Sequence, residues 1–197
     1  MPKLEFGDFK VGYAATAMPA RYAVERRDWK ASAALAVHDE NLPQVSAITH
    51  WARAGLARGG NAGAAEREVE RLKQCLERVQ AAKDDYWASQ VEIQIAEANA
   101  WIAQGKRKGG DAIALMRSAA DVEDQLEKRP ITPGSIVPGR EQLGELLLQL
   151  KQPALALVEF EATLKNAPGR KGALAGALKA AELAGNAEKA RQYKAQL

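Results

Sequence analysis

The sequence has few of the side chains from which most catalytic and metal sites are built. Among 197 residues there is one cysteine, Cys75, two histidines, His38 and His50, and only 6% aromatic residues. A single cysteine excludes a disulfide within the chain and is compatible with a reducing compartment. Because these three side chains fall on three different predicted helices, they lack the spacing of zinc ligands. The sequence therefore predicts no metal and no cofactor.

Long apolar runs are also missing. No stretch approaches the roughly 18 uninterrupted apolar residues of a membrane-spanning helix. Near the N-terminus, Glu5, Asp8 and Lys10 interrupt the apolar residues, so the pattern of a signal peptide is not met. We therefore expect no membrane partner and a cytoplasmic location. That location would change if the N-terminus had been trimmed from a secreted precursor.

Charge is unevenly distributed along the chain, but its pattern does not favour nucleic acid. The net charge is +3, and the segment from Lys165 to the end holds seven Lys or Arg against two Glu. These basic residues occupy scattered helical positions without interleaved aromatics, which is typical of a solvated face. The basic segment Gly105–Gly110 follows no strand, so it indicates a turn between helices and not a phosphate loop. We expect no nucleic-acid partner.

Candidate catalytic groups lack a setting that would activate them. Carboxylate pairs such as Asp84 and Asp85 are numerous, but general acid–base catalysis needs a carboxyl group held in a desolvating cleft. Asp84 and Asp85 are explained by the capping of a helix that starts near Tyr86. A nucleophilic pair of Cys75 and His50 is conceivable, yet a small cysteine on an apolar helix stripe is typical of a core. The sequence predicts a protein without catalytic activity.

What the sequence does have is a recurring alternation of apolar helical segments and turns. The intervals between turn signals are about 32, 50, 42 and 33 residues, in the range of helical-repeat units. Each signal separates two apolar helical patterns, which indicates helix hairpins with short connections. The turn signals are Arg27–Asp28, Gly59–Asn61, Gly109–Asp111, Gln152–Pro153 and Gly185–Asn186.

The helix predicted over residues 63–83 illustrates the pattern. Apolar residues step along it by four and three positions and form one stripe. We expect this stripe to pack against the preceding predicted helix, residues 44–58. The stripe consists of Ala65, Val69, Leu72, Leu76 and Val79.

The segment from Arg140 to Pro168 carries the strongest repeat pattern. Six of its residues occupy positions 7, 8, 11, 20, 24 and 32 of a 34-residue tetratricopeptide repeat. Gly144 and Ala156 are small where two helices cross, and Phe160 is expected to fill the gap to the next helix pair. Pro168 ends the second helix, because proline cannot donate the next backbone hydrogen bond.

These patterns together predict an all-α fold, a right-handed α-α superhelix or tetratricopeptide-like solenoid of four to five helical hairpins. We expect a single domain over residues 1–197. Its best-matching repeat is 137–168, a partial repeat covers 170–197, and divergent repeats cover 14–128.

The sequence resembles the C-terminal half of longer bacterial tetratricopeptide-repeat proteins of poorly known function. The segments that carry the resemblance are MPARYAVERRDW, ITHWARAGLARGGN, DDYWASQVEIQIAEANAWIA, ALMRSAADVEDQLEKRPITPG and PGREQLGELLLQL. The resemblance implies further repeats upstream in the longer relatives, with a motif of the form HxPSHIxxR that this sequence lacks. It therefore implies a fold, and chemistry tied to the upstream half does not carry over.

A solenoid of hairpins has a concave groove, and we expect this groove to bind a peptide or protein segment. The alternative is a regulatory or structural part of a larger enzyme or transcription-regulator assembly, and a third hypothesis is a small-molecule or hydrolytic site in the groove. The tryptophans could instead belong to the core, and Arg21 and Arg140 could pair with carboxylates such as Glu25 and Glu141. The candidate partner-binding residues are Arg21, Tyr22, His50, Trp51, Arg58, Tyr86, Arg140 and Glu141.

Two further expectations concern the chain's irregular and terminal segments. The stretch Arg129–Gly139 has three prolines and two glycines, which indicates an enlarged connection packed across helix ends. The last predicted helix leaves Ala187, Ala190 and Leu197 on an uncapped apolar side. We therefore predict a homodimer or end-to-end contact through terminal helices.

Overall fold

The computed structural model describes residues 9–37, 41–126 and 135–197. These residues form ten α-helices and one short 3-10 helix, and this part of the chain contains no β-strand. The prediction of an all-α fold is confirmed. The chain divides into two compact units, Met1–Lys108 and Gly109–Leu197. The superhelix and the single domain stay predictions.

The first unit consists of helices that contact their neighbours in sequence. Helix α3 packs against α4, α4 against α5, and α3 also contacts both α1 and α5. Contacts to the next helix and to the next but one are the pattern of stacked hairpins. The helices are α1 (Phe9–Glu25), α2 (Trp29–Ala33), α3 (Pro43–Ala54) with the 3-10 turn Gly55–Ala57, α4 (Ala62–Ala81) and α5 (Asp85–Gly105).

Short polar side chains cap the helices where the sequence predicted turns. The side-chain oxygens of Asp28 and Asn61 accept hydrogen bonds from backbone N–H groups three residues later, at 2.9 and 3.0 Å. Asp84 caps α5 in the same way, accepting from the amide of Trp87 at 3.3 Å. Each cap satisfies a donor that the helix itself leaves unpaired. The predicted capping role of Asp84 is confirmed.

Helix α4 buries one apolar stripe, with Cys75 in the place predicted for Leu76. Ala65, Val69, Leu72 and Val79 are buried as expected. Cys75 is buried with them, whereas Leu76 is only half-buried. Residue 75 follows Leu72 by three positions and precedes Val79 by four, so it lies on the same side of α4, which packs against both α3 and α5.

The second unit repeats the hairpin pattern with shorter helices. Each helix contacts the next, and α7 also contacts α9. The helices are α6 (Gly109–Gln125), α7 (Gly139–Gln149), α8 (Pro153–Asn166), α9 (Lys171–Leu183) and α10 (Ala187–Lys194).

Phe160 of α8 fills the gap between two hairpins, as the sequence predicted. Its side chain is fully buried. A Cβ atom on Gly144 of α7 would lie only 2.9 Å from the Phe160 ring, and one on Gly176 of α9 would lie closer still. Glycine on both sides therefore lets the two helices approach the ring. Helix α8 ends at Asn166, two residues before Pro168, as expected.

The proline-rich connection is described only at its end, since residues 127–134 lie outside the described part of the chain, as does His38. Ile136 and Val137 are buried. Glu123 of α6 accepts hydrogen bonds from Ser135 Oγ at 2.5 Å and from the backbone N–H of Gly139 at 2.6 Å. This end of the connection is thus packed against α6, which agrees with the predicted seam over residues 135–139.

Candidate partner-binding surfaces

Trp51, a candidate binding residue, lies in the core of the first unit. Its side chain is 7% exposed, and its indole N–H donates to a Glu97 carboxylate oxygen at 2.6 Å. This bond joins α3 to α5 and gives the buried carboxylate of Glu97 a donor. Trp87 and Trp101 are buried as well. These three tryptophans therefore follow the core alternative that the sequence left open.

Arg58 is held between two aromatic rings. Its guanidinium carbon lies 4.6 Å from the centre of the Trp29 ring and 4.1 Å from that of Trp101. Arginine is well suited to this position, because its flat, weakly hydrated cation stacks favourably on indole faces. The contacts connect α2 and α5 through the residue that follows the 3-10 turn.

His50 pairs with a carboxylate on the neighbouring helix. Its Nδ1 atom lies 2.7 Å from Oε2 of Glu68 on α4. Arg53 approaches the other oxygen of Glu68 at 3.8 Å and also donates through Nε to the carbonyl of Leu35 at 2.9 Å. The pair and its neighbour hold α3 against α4 and against the segment that follows α2. His50 thus has a structural role whether or not it also contacts a partner.

Tyr22 and Tyr86 occupy contrasting positions. Tyr22 is 67% exposed on α1, and the guanidinium of Arg26 lies 5.2 Å from the centre of its ring. Arg21 beside it is half-buried. Tyr86 packs edge-on against Trp87, with ring centres 5.3 Å apart. Of these residues, Tyr22 is the one whose side chain is largely available to a partner.

Arg140 is the centre of an ion-pair cluster that joins three helices of the second unit. It donates to Asp121 at 2.6 Å and to Asp124 at 2.8 Å on α6, and to Glu159 of α8 at 3.2 Å. Arg117 donates to the second oxygen of Glu159 at 2.9 Å. The sequence suggested the adjacent Glu141 as a partner, but the observed carboxylates come from other helices.

Burial by itself lowers the pKa of the Arg140 guanidinium. The hydrogen bonds to Asp124 and Asp121, together with the charge of Glu159, outweigh burial, so the pKa lies above its ordinary value. The cation is therefore held by its own helices and is an unfavourable anchor for a partner carboxylate.

Glu141 is buried and forms a two-point contact with Arg170. Arg170 donates through Nε to Oε2 at 2.5 Å and through Nη2 to Oε1 at 3.2 Å. Gly172 lies so close to this carboxylate that a Cβ atom there would overlap it. Glu141 of α7 thus holds the start of α9, and its side chain is covered by that contact.

The described residues offer no obvious reaction centre. Burial raises the pKa of the Cys75 thiol, with Arg78 opposing part of the rise, which disfavours a reactive thiolate. Among these residues no group of three or more His, Cys, Asp or Glu could hold a metal ion. A groove along α4 is lined mainly by charged side chains of that helix, among which Lys73 pairs with Glu70 at 2.7 Å.

Most of the large apolar side chains that are exposed are not among the residues predicted to contact a partner. Large apolar residues project from several helices, and only Tyr22 and Leu197 among them belong to the predicted contact surfaces. For α1 the sequence itself could have indicated exposed apolar side chains. Its apolar residues lie on two opposite faces of the helix, whereas a helix of a hairpin is expected to have one apolar stripe. The exposed set is Val11, Met18, Tyr22, Leu115, Val122, Leu155, Val158, Leu183 and Leu197.

Within the described part of the chain, none of the helices combines the length and apolar character needed to cross a bilayer. Whether the eight candidate residues bind a partner stays a prediction. The chain matches no family model, no curated protein and no solved structure, and its resemblance to tetratricopeptide-repeat proteins likewise stays a prediction.

Proposed function

We propose that this protein is a non-catalytic interaction module, in which tetratricopeptide-like hairpins bind a peptide or protein segment. The observation that carries the proposal is the wedge of Phe160 between Gly144 of α7 and Gly176 of α9. This wedge lets consecutive hairpins stack with their first helices side by side. In helical repeats, the surface shared by such first helices is where partners commonly bind.

The α7–α9 surface is defined here by Glu145 and Leu148 of α7 and by Ala175, Lys179 and Leu183 of α9. Lys179 follows Glu145 by 34 residues, the length of one tetratricopeptide repeat. Leu183 is 60% exposed, Leu148 is half-buried and Lys179 is exposed. This surface has apolar side chains next to one acidic residue, Glu145, and one basic residue, Lys179. It suits a partner peptide that inserts one or two apolar residues and makes polar contacts around them.

Peptide selection tests this proposal and does not require the natural partner to be identified. A random peptide library is displayed and selected on the immobilised chain, and affinities of the selected peptides are measured by calorimetry. We expect Leu183→Lys and Lys179→Glu each to weaken binding by about tenfold or more, as the loss of a central contact does.

Leu155→Lys is the matched control, because Leu155 is a 51% exposed leucine on the second helix of its hairpin. It should leave peptide affinity unchanged. Selected peptides that bind Leu183→Lys and the parent chain equally well would contradict the assigned surface. Failure to select any peptide would count against an interaction module.

A further inference from the structure

Three helix-to-helix turns lie side by side at one end of the first unit. They follow helices α1, α3 and α5, and α3 contacts both of the others. A Cβ atom on Gly59 in the second turn would lie 3.2 Å from Trp29 in the first. A Cβ atom on Gly105, which begins the third turn, would lie 3.6 Å from the carbonyl oxygen of Ala57, just before the second. These segments, residues 26–30, 58–61 and 105–108, are called the turn edge.

The turn edge is strongly basic. Its three segments hold seven basic residues and one acidic residue, Asp28. Six of the seven basic residues are exposed, and Arg58 is half-buried. The seven are Arg26, Arg27, Lys30, Arg58, Lys106, Arg107 and Lys108.

Neighbouring carboxylates reduce this charge without cancelling it. Asp28 caps α2, and Glu66 of α4 pairs with Lys106. Glu25 precedes the first segment, and Asp111 follows the third by three positions. Seven cations against these four carboxylates leave the edge positive. Cations that already contact the chain still attract a polyanion, because charges act over a Debye length of about 8–10 Å.

The structure of helix ends explains only part of the basic character. The C-terminus of a helix carries partial negative charge, so one basic residue per turn is expected there. The third turn has three consecutive ones, Lys106 to Lys108. Arg27 and Arg107 also have φ angles of 56° and 61°, a left-handed backbone that suits glycine, as at Gly60 of the middle turn. Arginine thus occupies two positions where glycine is less strained, which points to a role for its charge outside the fold.

The density of charge along the turn edge matches a phosphate backbone. Packed helices lie about 8–10 Å apart, so three neighbouring turns span about 20 Å. One strand of a DNA duplex has a phosphate about every 3.4 Å along its axis, or about six over this length. Six exposed basic side chains correspond to that number. An extended peptide also advances about 3.4 Å per residue, so it would need an almost unbroken run of acidic residues to match.

The edge suits a duplex better than a single strand. Single-stranded nucleic acid binds where aromatic rings are open to stack on its bases. Trp29 is half-buried and Trp101 is buried, and both rings are in contact with Arg58. The middle turn, Gly59–Asn61, is exposed and has two glycines. A rigid backbone can therefore lie along the edge without meeting large side chains at its centre.

We propose that the turn edge binds the phosphate backbone of double-stranded nucleic acid, independently of base sequence. The sequence predicted no nucleic-acid partner, because each basic segment by itself matches a solvated face or a turn. The fold places three such segments next to one another. This site lies within the unit 1–108 and does not involve the α7–α9 surface, so neither proposal depends on the other.

Titration of a labelled DNA duplex of about 20 base pairs with the full chain, followed by fluorescence anisotropy, tests the proposal. At about 50 mM salt we expect a micromolar dissociation constant. Affinity should fall about a hundredfold by about 200 mM salt, as the release of counterions from roughly four phosphates requires. The proposal is overturned if the duplex does not bind at the lower salt concentration, or if affinity hardly changes with salt.

Arg107→Gln and Lys83→Gln form a matched pair of variants. Both residues are exposed and have a left-handed backbone, and they lie at opposite ends of α5. Arg107→Gln should weaken binding by about threefold to tenfold and reduce the salt slope by about 1, whereas Lys83→Gln should change neither. Equal losses in the two variants would mean that binding follows net charge alone, and would reject the turn edge.

Arg107→Gly separates binding from folding. Glycine removes the strain of the left-handed backbone, so the midpoint of urea denaturation should not fall, while affinity for the duplex should fall as in Arg107→Gln. A glycine variant that binds the duplex as tightly as the parent would contradict the proposed contact.

A double variant tests whether the outer turns bind one ligand. Lys30 and Lys108 lie in the first and third segments, and both are exposed. The losses of Lys30→Gln and Lys108→Gln should multiply in the double variant, as expected for separate contacts to one duplex. A double variant that binds no more weakly than either single variant would refute a shared ligand.

Competition distinguishes a duplex from other polyanions. At equal concentration of negative charge, unlabelled duplex should displace the labelled duplex more strongly than single-stranded DNA, polyglutamate, or vesicles of phosphatidylcholine and phosphatidylserine in equal parts. Stronger displacement by polyglutamate would assign the edge to an acidic protein segment, and by vesicles to a membrane surface. Stronger displacement by single-stranded DNA would assign it to a stacking site. Each of these three results would overturn the proposal.

Discussion

At the scale of single residues, Tyr193 shows how a terminal side chain is tied to the fold. Its hydroxyl donates to Glu161 Oε1 of α8 at 2.7 Å, and Lys189 donates to the same oxygen at 2.5 Å. Burial raises the pKa of the Tyr193 phenol, and the hydrogen bond and charge of Glu161 raise it further, to about 12. Phenol and carboxylate together hold α10 against α8.

This shift predicts a loss of stability in alkaline solution. Because the folded pKa lies above the ordinary value of 10, the phenol stabilises the fold below pH 10. That contribution disappears as pH rises toward about 12. Tyr193→Phe should lower the free energy of unfolding by about 1 kcal/mol at neutral pH. Urea denaturation should show this difference shrinking in solution more alkaline than the ordinary phenol pKa.

Tyr22→Phe is the control for the loss of a phenol hydroxyl, since the side chain of Tyr22 is mostly exposed and its replacement should change the free energy of unfolding little. Lys189 binds the same carboxylate in the parent and in Tyr193→Phe. The difference between their free energies of unfolding therefore measures the contribution of the phenol hydroxyl. A difference that grows with pH would contradict the assignment.

At the scale of helices, α7 is held by side chains of other helices. Pro138 precedes it and provides no side-chain cap, and Glu123 of α6 accepts the backbone hydrogen bond of Gly139 in its place. One residue later, Arg140 contacts Asp121, Asp124 and Glu159. The first turn of α7 is therefore the point at which α6, α7 and α8 are joined.

Arg140→Ala should destabilise the protein by about 2 kcal/mol. This loss lies between those measured for exposed and for fully buried ion pairs, because Glu159 is buried whereas the side chains of Asp121 and Asp124 are 51% and 38% exposed. Arg117→Ala is the matched comparison, since Arg117 is more exposed and contacts only Glu159 of this cluster. It should cost less than about 1 kcal/mol in urea denaturation. Equal losses in both variants would refute the central role of Arg140.

The sequence predicted helices well where the determinants are local. Caps such as Asp84, the turn at Gly185–Asn186 and the packing of Phe160 depend on spacing and residue type, and each is found as predicted. Partners distant in sequence were not predicted. Trp51 meets Glu97 across 46 positions, and no period or composition specifies that contact. The sequence therefore did not show that candidates such as Trp51, Arg140 and Glu141 contact side chains of other helices, and whether they bind a partner stays a prediction.

At the scale of the whole molecule, each compact unit has its own core and its own polar contacts. In the unit 109–197, Leu143, Leu146, Leu147 and Phe160 are fully buried. The contacts of Arg140 and Arg170 also lie within that unit. In the unit 1–108, Ile48 and Leu72 are buried, and the Trp51–Glu97 bond joins α3 to α5. A unit with a core of its own is expected to fold alone.

Fragments 1–108 and 109–197 should therefore each be helical by circular dichroism and unfold in one cooperative urea transition. A fragment of residues 126–197 is the comparison for the second, because it removes α6 with Asp121, Asp124 and Glu123. It should unfold at clearly lower urea concentration than 109–197, since Arg140 keeps only Glu159 and the start of α7 loses its acceptor. Gradual loss of helicity in 109–197 would mean that this unit depends on the rest of the chain. Equal midpoints for the two fragments would mean that α6 adds nothing to its stability.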